Sequence, residues 1–233
     1  MLILAVDTSG RQGSIALARA ESASRAESDL VRVLEVVSLT GGTFSAQLVP
    51  QIATLLSTHG FTKHEIGAFV VVSGPGSFTG LRIGLAAVKA LAEILAKPIA
   101  AISLLEALAL RSGIQGRIVS ALDAGRGEIY LGEYETGNVA EEKSAHPLQE
   151  RLLSQQEFLA VARGSNLVTS DEVVAAISRN AGLSVSVIEL TNAGMIAQLG
   201  WGKIQAGETV APEQLDANYI RRTDAEILAK IGS

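Results

Sequence analysis

Two aspartates are the residues of this sequence best placed to do chemistry. Asp7 ends the apolar run "LILAVD" and Asp123 ends "RIVSALD". A carboxylate at a strand end projects from the sheet edge, where paired aspartates can hold a metal–phosphate or serve as a base. The same residues open "DTSG" and "DAGRG". Aspartate in such a turn equally accepts hydrogen bonds from its own turn's backbone. Both readings stand. Arg11, Arg126 and Glu128 lie within the turns, and Asp7, Ser9, Gly76, Asp123 and Arg126 are the candidate contacts for a nucleotide or another anion.

The segment "GPGSFTGLRIG" at 74–84 invites a phosphate-loop reading, because it joins an apolar run to a helical pattern. A phosphate at that helix N-terminus would be favoured electrostatically. The spacing argues otherwise. No Lys follows the glycines, as a P-loop requires, and Gly74, Gly76 and Gly80 miss the dinucleotide spacing by one residue. Pro75-Gly76 suits a type II turn with positive φ at Gly76. Ser77 or Thr79 can cap the helix that follows.

Nucleophilic catalysis has weaker support. Only His59, His64 and His146 could act as an imidazole base. His59 and His64 flank "GFTK" as surface residues, and His146 sits in a polar loop before Pro147. None has metal-ligand spacing. A peptidase lacks a credible nucleophile–base pair.

The elements that must position these residues read as a mixed sheet flanked by helices. Leu2 to Asp7 and Ser14 to Arg19 form a hairpin, with a third strand at Arg32 to Leu39. A helix from Ser45 to His59 follows, with Pro50 in its first turns. Next come a strand from Ala68 to Ser73, a long helix to Ala96, a strand from Ile99 to Ile102 and a short helix from Leu104 to Arg111. A second set starts near Arg117. There "RIVSALDAGRGEIYLGEYE" overlays "LILAVDTSGRQGSIALARA", placing Asp123 on Asp7, Arg126 on Arg11 and Ile129 on Ile15. This self-similarity indicates a duplicated domain. Helices at Gln155 to Arg163, Asp171 to Ala181 and Ala193 to Ala206 complete the set, with strands at Leu167 to Thr169 and Val185 to Leu190 between them. The expected division is residues 1–103, carrying the apolar helices, and 104–233, whose tail returns to the first domain.

The two N-terminal helices are too apolar for a simple surface role. In the second, Leu81, Leu85, Val88, Ala92 and Leu95 form one stripe and Ile83, Ala87, Ala90 and Ile94 another. From Val36 to Thr62 there is no Asp, Glu, Lys or Arg. A helix apolar around most of its circumference is buried on more than one side. Both helices could be central in a large core, but a chain this small would struggle to bury them on all sides, so a partner interface is expected at Leu48, Val49, Ile52, Leu56, Leu81, Ile83, Leu85, Val88 and Leu95.

Composition narrows the classes further. The 233 residues are 48% apolar and 18% charged, which excludes a disordered polymer. Without cysteine there is no disulfide or thiolate chemistry. A formal charge of −5 argues against gripping nucleic acid unaided. The N-terminus reads as a strand without leader character, and a cytoplasmic location is expected.

"ILAVDTS", "GPGSFTGLRIG", "ALDAGRGEIY" and "NYIRR", in that order along the chain, resemble the TsaB (YeaZ) family. The resemblance implies an α/β, duplicated actin-like ATPase (ASKHA, RNase H-like) fold with two mixed-sheet lobes and flanking helices. It implies a noncatalytic dimerisation subunit that binds a TsaD-like catalytic protein. That complex forms N6-threonylcarbamoyladenosine at position 37 of tRNA, with a TsaE-like ATPase as a further partner. No cofactor is implied for the chain alone; ATP or ADP and Mg belong to the complex, and tRNA is met through it. A homodimer is implied in isolation. Phe44 stands where many relatives carry His, and "DAGRG" departs from the commoner form. The alternative is a free-standing ASKHA-type ATPase or phosphotransferase with Asp7 and Asp123 flanking the phosphates.

Overall fold

A computed structural model of the chain describes residues 1–21, 30–139, 142–189, 192–218 and 220. Much of "NYIRR" and the centre of "ARAESASRAESDLVR" therefore lie outside the described residues. The chain divides into one unit of Met1–Ala107 with Leu190–Ala217, and another of Leu108–Glu189 with Asn218–Ser233.

The first unit opens with three antiparallel strands, β1 (Leu2–Asp7), β2 (Gly13–Glu21) and β3 (Leu30–Leu39). Helix α1 (Phe44–Thr58) leads to β4 (Ile66–Gly74), and α2 (Phe78–Leu95) leads to β5 (Ile99–Ser103). Both β4 and β5 join the sheet in parallel, so its order is β3-β2-β1-β4-β5. The short α3 (Leu104–Arg111) follows. Strand β1 is buried along its whole length, as a central strand covered on both faces must be.

The second unit repeats this plan. Strands β6 (Gly116–Gly125), β7 (Glu128–Val139) and β8 (Glu142–Ser154) are antiparallel. Helix α4 (Gln155–Ala162) precedes β9 (Asn166–Thr169), and α5 (Glu172–Asn180) precedes β10 (Ser186–Val187). The order β8-β7-β6-β9-β10 matches the first sheet strand for strand, with β9 and β10 parallel. The duplication read from the two Asp-bearing hairpins thus extends to the whole topology. Strand β8 occupies the segment whose sequence reads as a polar loop around His146. It is polar and carries Pro147, so His146 belongs to an exposed strand and pairs with Glu135.

Helix α6 (Ala193–Gln205) packs on the first sheet. Gly200 rests on β4, where a Cβ would come within 2.4 Å of the Val70 side chain. On α2, a Cβ at Gly84 would lie 3.5 Å from Val6. Val6 is level with Val71 across the sheet, whereas Val70 is level with Ala5. Since successive side chains point to opposite faces, α2 and α6 cover opposite sides. The layers are helices, sheet, helix. Asn192 caps α6 by accepting from the N–H groups of Gly194 and Met195, and Ser14 Oγ accepts from Ala193 N–H at 2.9 Å. After α6 the chain adds an antiparallel bridge from Val210 to Ile99 and buries Leu215 in the same core.

Candidate functional site

The hairpin loop between β1 and β2 lies against the starts of α1 and α2. Asp7 Oδ1 accepts from Ser9 N–H at 2.9 Å and from Ser9 Oγ at 2.6 Å. Ser9's own carbonyl accepts from Ser77 N–H at 2.6 Å, and Thr8 Oγ1 donates to the Gly80 carbonyl at 2.7 Å. Ser77 caps α2 by accepting from Gly80 N–H at 3.2 Å. The side chain of Asp7 is buried, and burial pushes its carboxyl above the ordinary aspartate value while the two Ser9 bonds oppose that shift.

The glycines of "GPGSFTGLRIG" have a steric reason. A Cβ at Gly76 would lie 2.5 Å from the Ser9 carbonyl oxygen, at Gly80 2.1 Å from that of Thr8, and at Gly84 2.3 Å from Thr8 Oγ1. Three glycines at every fourth position make a smooth face on which Thr8 and Ser9 sit. Positive φ occurs at Gly74 (132°), and Gly76 is outside that region, so the type II expectation for Pro75-Gly76 fails. Gly76 is required for close approach instead.

A cleft of about 300 Å³ opens beside this contact, lined by Gly10, Arg11, Gly42, Phe44, Ser77, Thr79, Gly80 and Ile83. Phe44 is buried, with its ring against Gly13, where a Cβ would lie 2.9 Å away. The aromatic ring in the position flagged by the sequence therefore closes one wall of the cleft.

In the second unit Asp123 repeats the role of Asp7, with Oδ1 accepting from Gly125 N–H at 2.9 Å. Asp123 is exposed, and its own N–H donates to Asp171 Oδ2 at 3.4 Å. Arg126 takes a left-handed conformation, φ 57°, at the exposed hairpin tip. Each aspartate thus makes the hydrogen bond of the turn it opens. Among the described residues no group of three or more His, Asp or Glu side chains is arranged to hold a metal ion.

Six of the nine interface candidates belong to the chain's own core. Leu48, Ile52, Leu56, Leu81, Leu85 and Val88 are buried in the first unit. The periodicity of α2 offered two apolar stripes, and the sheet takes the one through Leu81, Leu85 and Val88. Ile83 and Leu95 are half-buried, while Val49 is 58% exposed. The second stripe is the outward one: beyond Ile83 and Ala87 it exposes Ala90 and Ile94, the latter 74% accessible. On α1 the outward residues Ala46, Val49, Pro50 and Ala53 are equally uncharged. Pro50 lies inside α1 as its seventh residue, within the first two turns. His59 also departs from expectation: it is half-buried and its Nε2 lies 2.8 Å from Glu35 Oε2, tying the end of α1 to β3.

Residues 38–193 match the family model described as TsaD: tRNA N6-adenosine threonylcarbamoyltransferase. The chain is also 35% identical over 139 residues to the tRNA threonylcarbamoyladenosine biosynthesis protein TsaB of Bacillus subtilis (strain 168). It belongs to that family and, within it, to the TsaB/YeaZ proteins. The Bacillus match covers 59% of this chain and 57% of the relative, so the matched stretch spans little more than half of that protein's length. The TsaB of Haemophilus influenzae (strain ATCC 51907 / DSM 11121 / KW20 / Rd) is 25% identical over 232 residues, covering 95% of this chain and 94% of the relative. Among solved structures, an uncharacterized protein with similarity to peptidase YEAZ from Pseudomonas aeruginosa superimposes with a TM-score of 0.71 at 26% identity. That superposition covers 94% of this chain and 99% of the other. The family's duplicated α/β, ASKHA-like fold is the one built above from two equivalent sheets.

Proposed function

We propose that this TsaB/YeaZ chain is a noncatalytic subunit that binds a TsaD-like catalytic protein in forming N6-threonylcarbamoyladenosine at position 37 of tRNA. The observation that carries the reading is the apolar stripe left outward on α2 and the uncharged outer face of α1, where Ile94 and Val49 stand 74% and 58% exposed. Large apolar side chains held that far into water on neighbouring helices favour a protein partner. The relatives are named for tRNA threonylcarbamoyladenosine biosynthesis, which supports the same reading. Asp7 and Asp123 each have an oxygen engaged in a local turn, which suits a fold kept for assembly. A TsaE-like ATPase and tRNA join through the complex, and the same helices pair two copies when the partner is absent. The reading places the protein in the cytoplasm, with tRNA. Among the described residues no helix is long and apolar enough to cross a membrane.

Co-purification with a TsaD-like subunit tests the reading. Ile94→Lys and Val49→Lys should break the complex while the chain stays folded. Retention of the complex by both variants would contradict this placement of the interface.

A second reading, a free-standing ATPase or phosphotransferase, draws on the cleft in which Arg11 and the start of α2 meet. An anion there would be favoured by the helix N-terminus. Titration of the isolated chain with Mg-ATP separates the two. Binding lost in Arg11→Ala would support this second reading, and no detectable binding would remove it.

A further inference from the structure

We propose that the β1–β2 loop is a clasp that sets the positions of both surface helices, with Asp7 and Thr8 as its positioning residues. The inference rests on the reading of α1 and α2 as partner-facing, and assigns the motif "DTS" a task within it. One loop touches the beginnings of both helices. Thr8 and Ser9 hold α2 through the Thr8–Gly80 and Ser9–Ser77 hydrogen bonds and the glycine face of Gly76, Gly80 and Gly84. Farther along, a Cβ at Gly41 would lie 1.7 Å from the Arg11 carbonyl oxygen, and Gly13 backs the ring of Phe44 at the first turn of α1. Backbone atoms in such contact cannot shift independently, so displacing the loop displaces the helices.

Asp7 holds this loop in shape. Its Oδ1 fixes Ser9 twice, which aims the Ser9 carbonyl at Ser77. That task needs an acceptor oxygen at Oδ1 and no negative charge. Asparagine can therefore supply it and alanine cannot. Thr8 needs its hydroxyl, which serine keeps and valine lacks. A nucleotide- or metal-binding aspartate has the opposite requirement, since its charge is the functional property.

The experiment compares Asp7→Ala, Asp7→Asn, Thr8→Val and Thr8→Ser in the full chain. It measures affinity for the TsaD-like subunit, urea unfolding, and amide hydrogen exchange along α2 in the free chain. Asp7→Ala and Thr8→Val should weaken binding about tenfold and speed exchange in the first turns of α2. Asp7→Asn and Thr8→Ser should restore both to within about threefold of wild type. If Asp7→Ala does not fold, the Thr8 pair decides. Wild-type affinity and exchange in Thr8→Val, or an Asp7→Asn defect as large as that of Asp7→Ala, would overturn the clasp. Ile94→Lys keeps the two failures apart. If it binds like wild type, the partner face is misplaced, and the clasp then stands or falls on α2 exchange alone.

Discussion

Thr8 and Gly80 meet backbone to backbone. The Thr8 hydroxyl donates to the Gly80 carbonyl at 2.7 Å, and a Cβ on Gly80 would lie 2.1 Å from the Thr8 carbonyl oxygen. The oxygen is part of a buried loop with its own fixed partners, so it cannot yield as a flexible side chain would. Gly80→Ala should therefore destabilise the chain by at least ~1–3 kcal/mol, the usual cost of overpacking a core. Gly202 in α6 is the control, because a Cβ there meets nothing within 4 Å. Gly202→Ala should be stabilising by about 0.5–1 kcal/mol, as expected for a helix interior. Urea denaturation of the two variants beside wild type gives both values.

The two stripes of α2 should respond in opposite ways to charge. Val88 is 0% exposed, so Val88→Asp buries an unpaired carboxylate and should cost more than ~4 kcal/mol, leaving the chain unfolded or nearly so. Ile94→Asp changes a surface position and should move stability by less than ~0.5 kcal/mol while removing partner binding. Circular dichroism melts and co-purification of the same preparations read the two effects separately.

Periodicity reveals that α2 has apolar residues on two faces, but Leu85 and Ile83 carry the same hydrophobic signal. Only the sheet's position says which is covered. The same limit applies to α6, whose sequence does not say which sheet it will meet. Glycine spacing had a related ambiguity. Gly74, Gly76 and Gly80 could admit a phosphate or another piece of backbone, and at Gly76 and Gly80 the backbone of Ser9 and Thr8, some seventy residues earlier in the chain, takes the space. Strand β8 was missed because Pro147 and its polar neighbours break the apolar pattern of a strand. The hairpins around Asp7 and Asp123 were legible because their turn chemistry is local. Their repetition carried the duplicated topology with it.

Asp7 should leave a mark on the pH dependence of stability. Its carboxyl is raised above the ordinary aspartate value by burial, with the Ser9 bonds working against the shift. The folded chain therefore keeps a proton that the unfolded chain has already lost. The resulting stabilisation is full below the unfolded aspartate value and is lost as pH rises through the folded one. Asp7→Asn cannot titrate, so the difference in stability between wild type and variant should shift in favour of the variant across that interval, then level off. Urea midpoints from acid to neutral pH check it; a constant difference would count against the burial effect.

In the second unit Glu133 is the group to remove. It is buried on β7, with one carboxylate oxygen on Arg117 and the other 2.6 Å from Arg151 Nη2. Glu133→Ala leaves the half-buried Arg151 without this partner and should cost about 3 kcal/mol, as breaking a buried pair does. Arg117→Ala removes a largely exposed cation and should change stability little. Thermal melts of both variants test the asymmetry.

The central claim is that this chain contributes assembly, not chemistry, to adenosine-37 modification. The direct measurement is reconstitution from a TsaD-like subunit, its remaining partners, threonylcarbamoyl-adenylate and tRNA, with and without the chain, scoring N6-threonylcarbamoyladenosine. Product should require the chain, should be absent when the chain replaces the TsaD-like subunit, and should fail with Ile94→Lys. Equal product without the chain, or product from the chain lacking that subunit, would contradict the account.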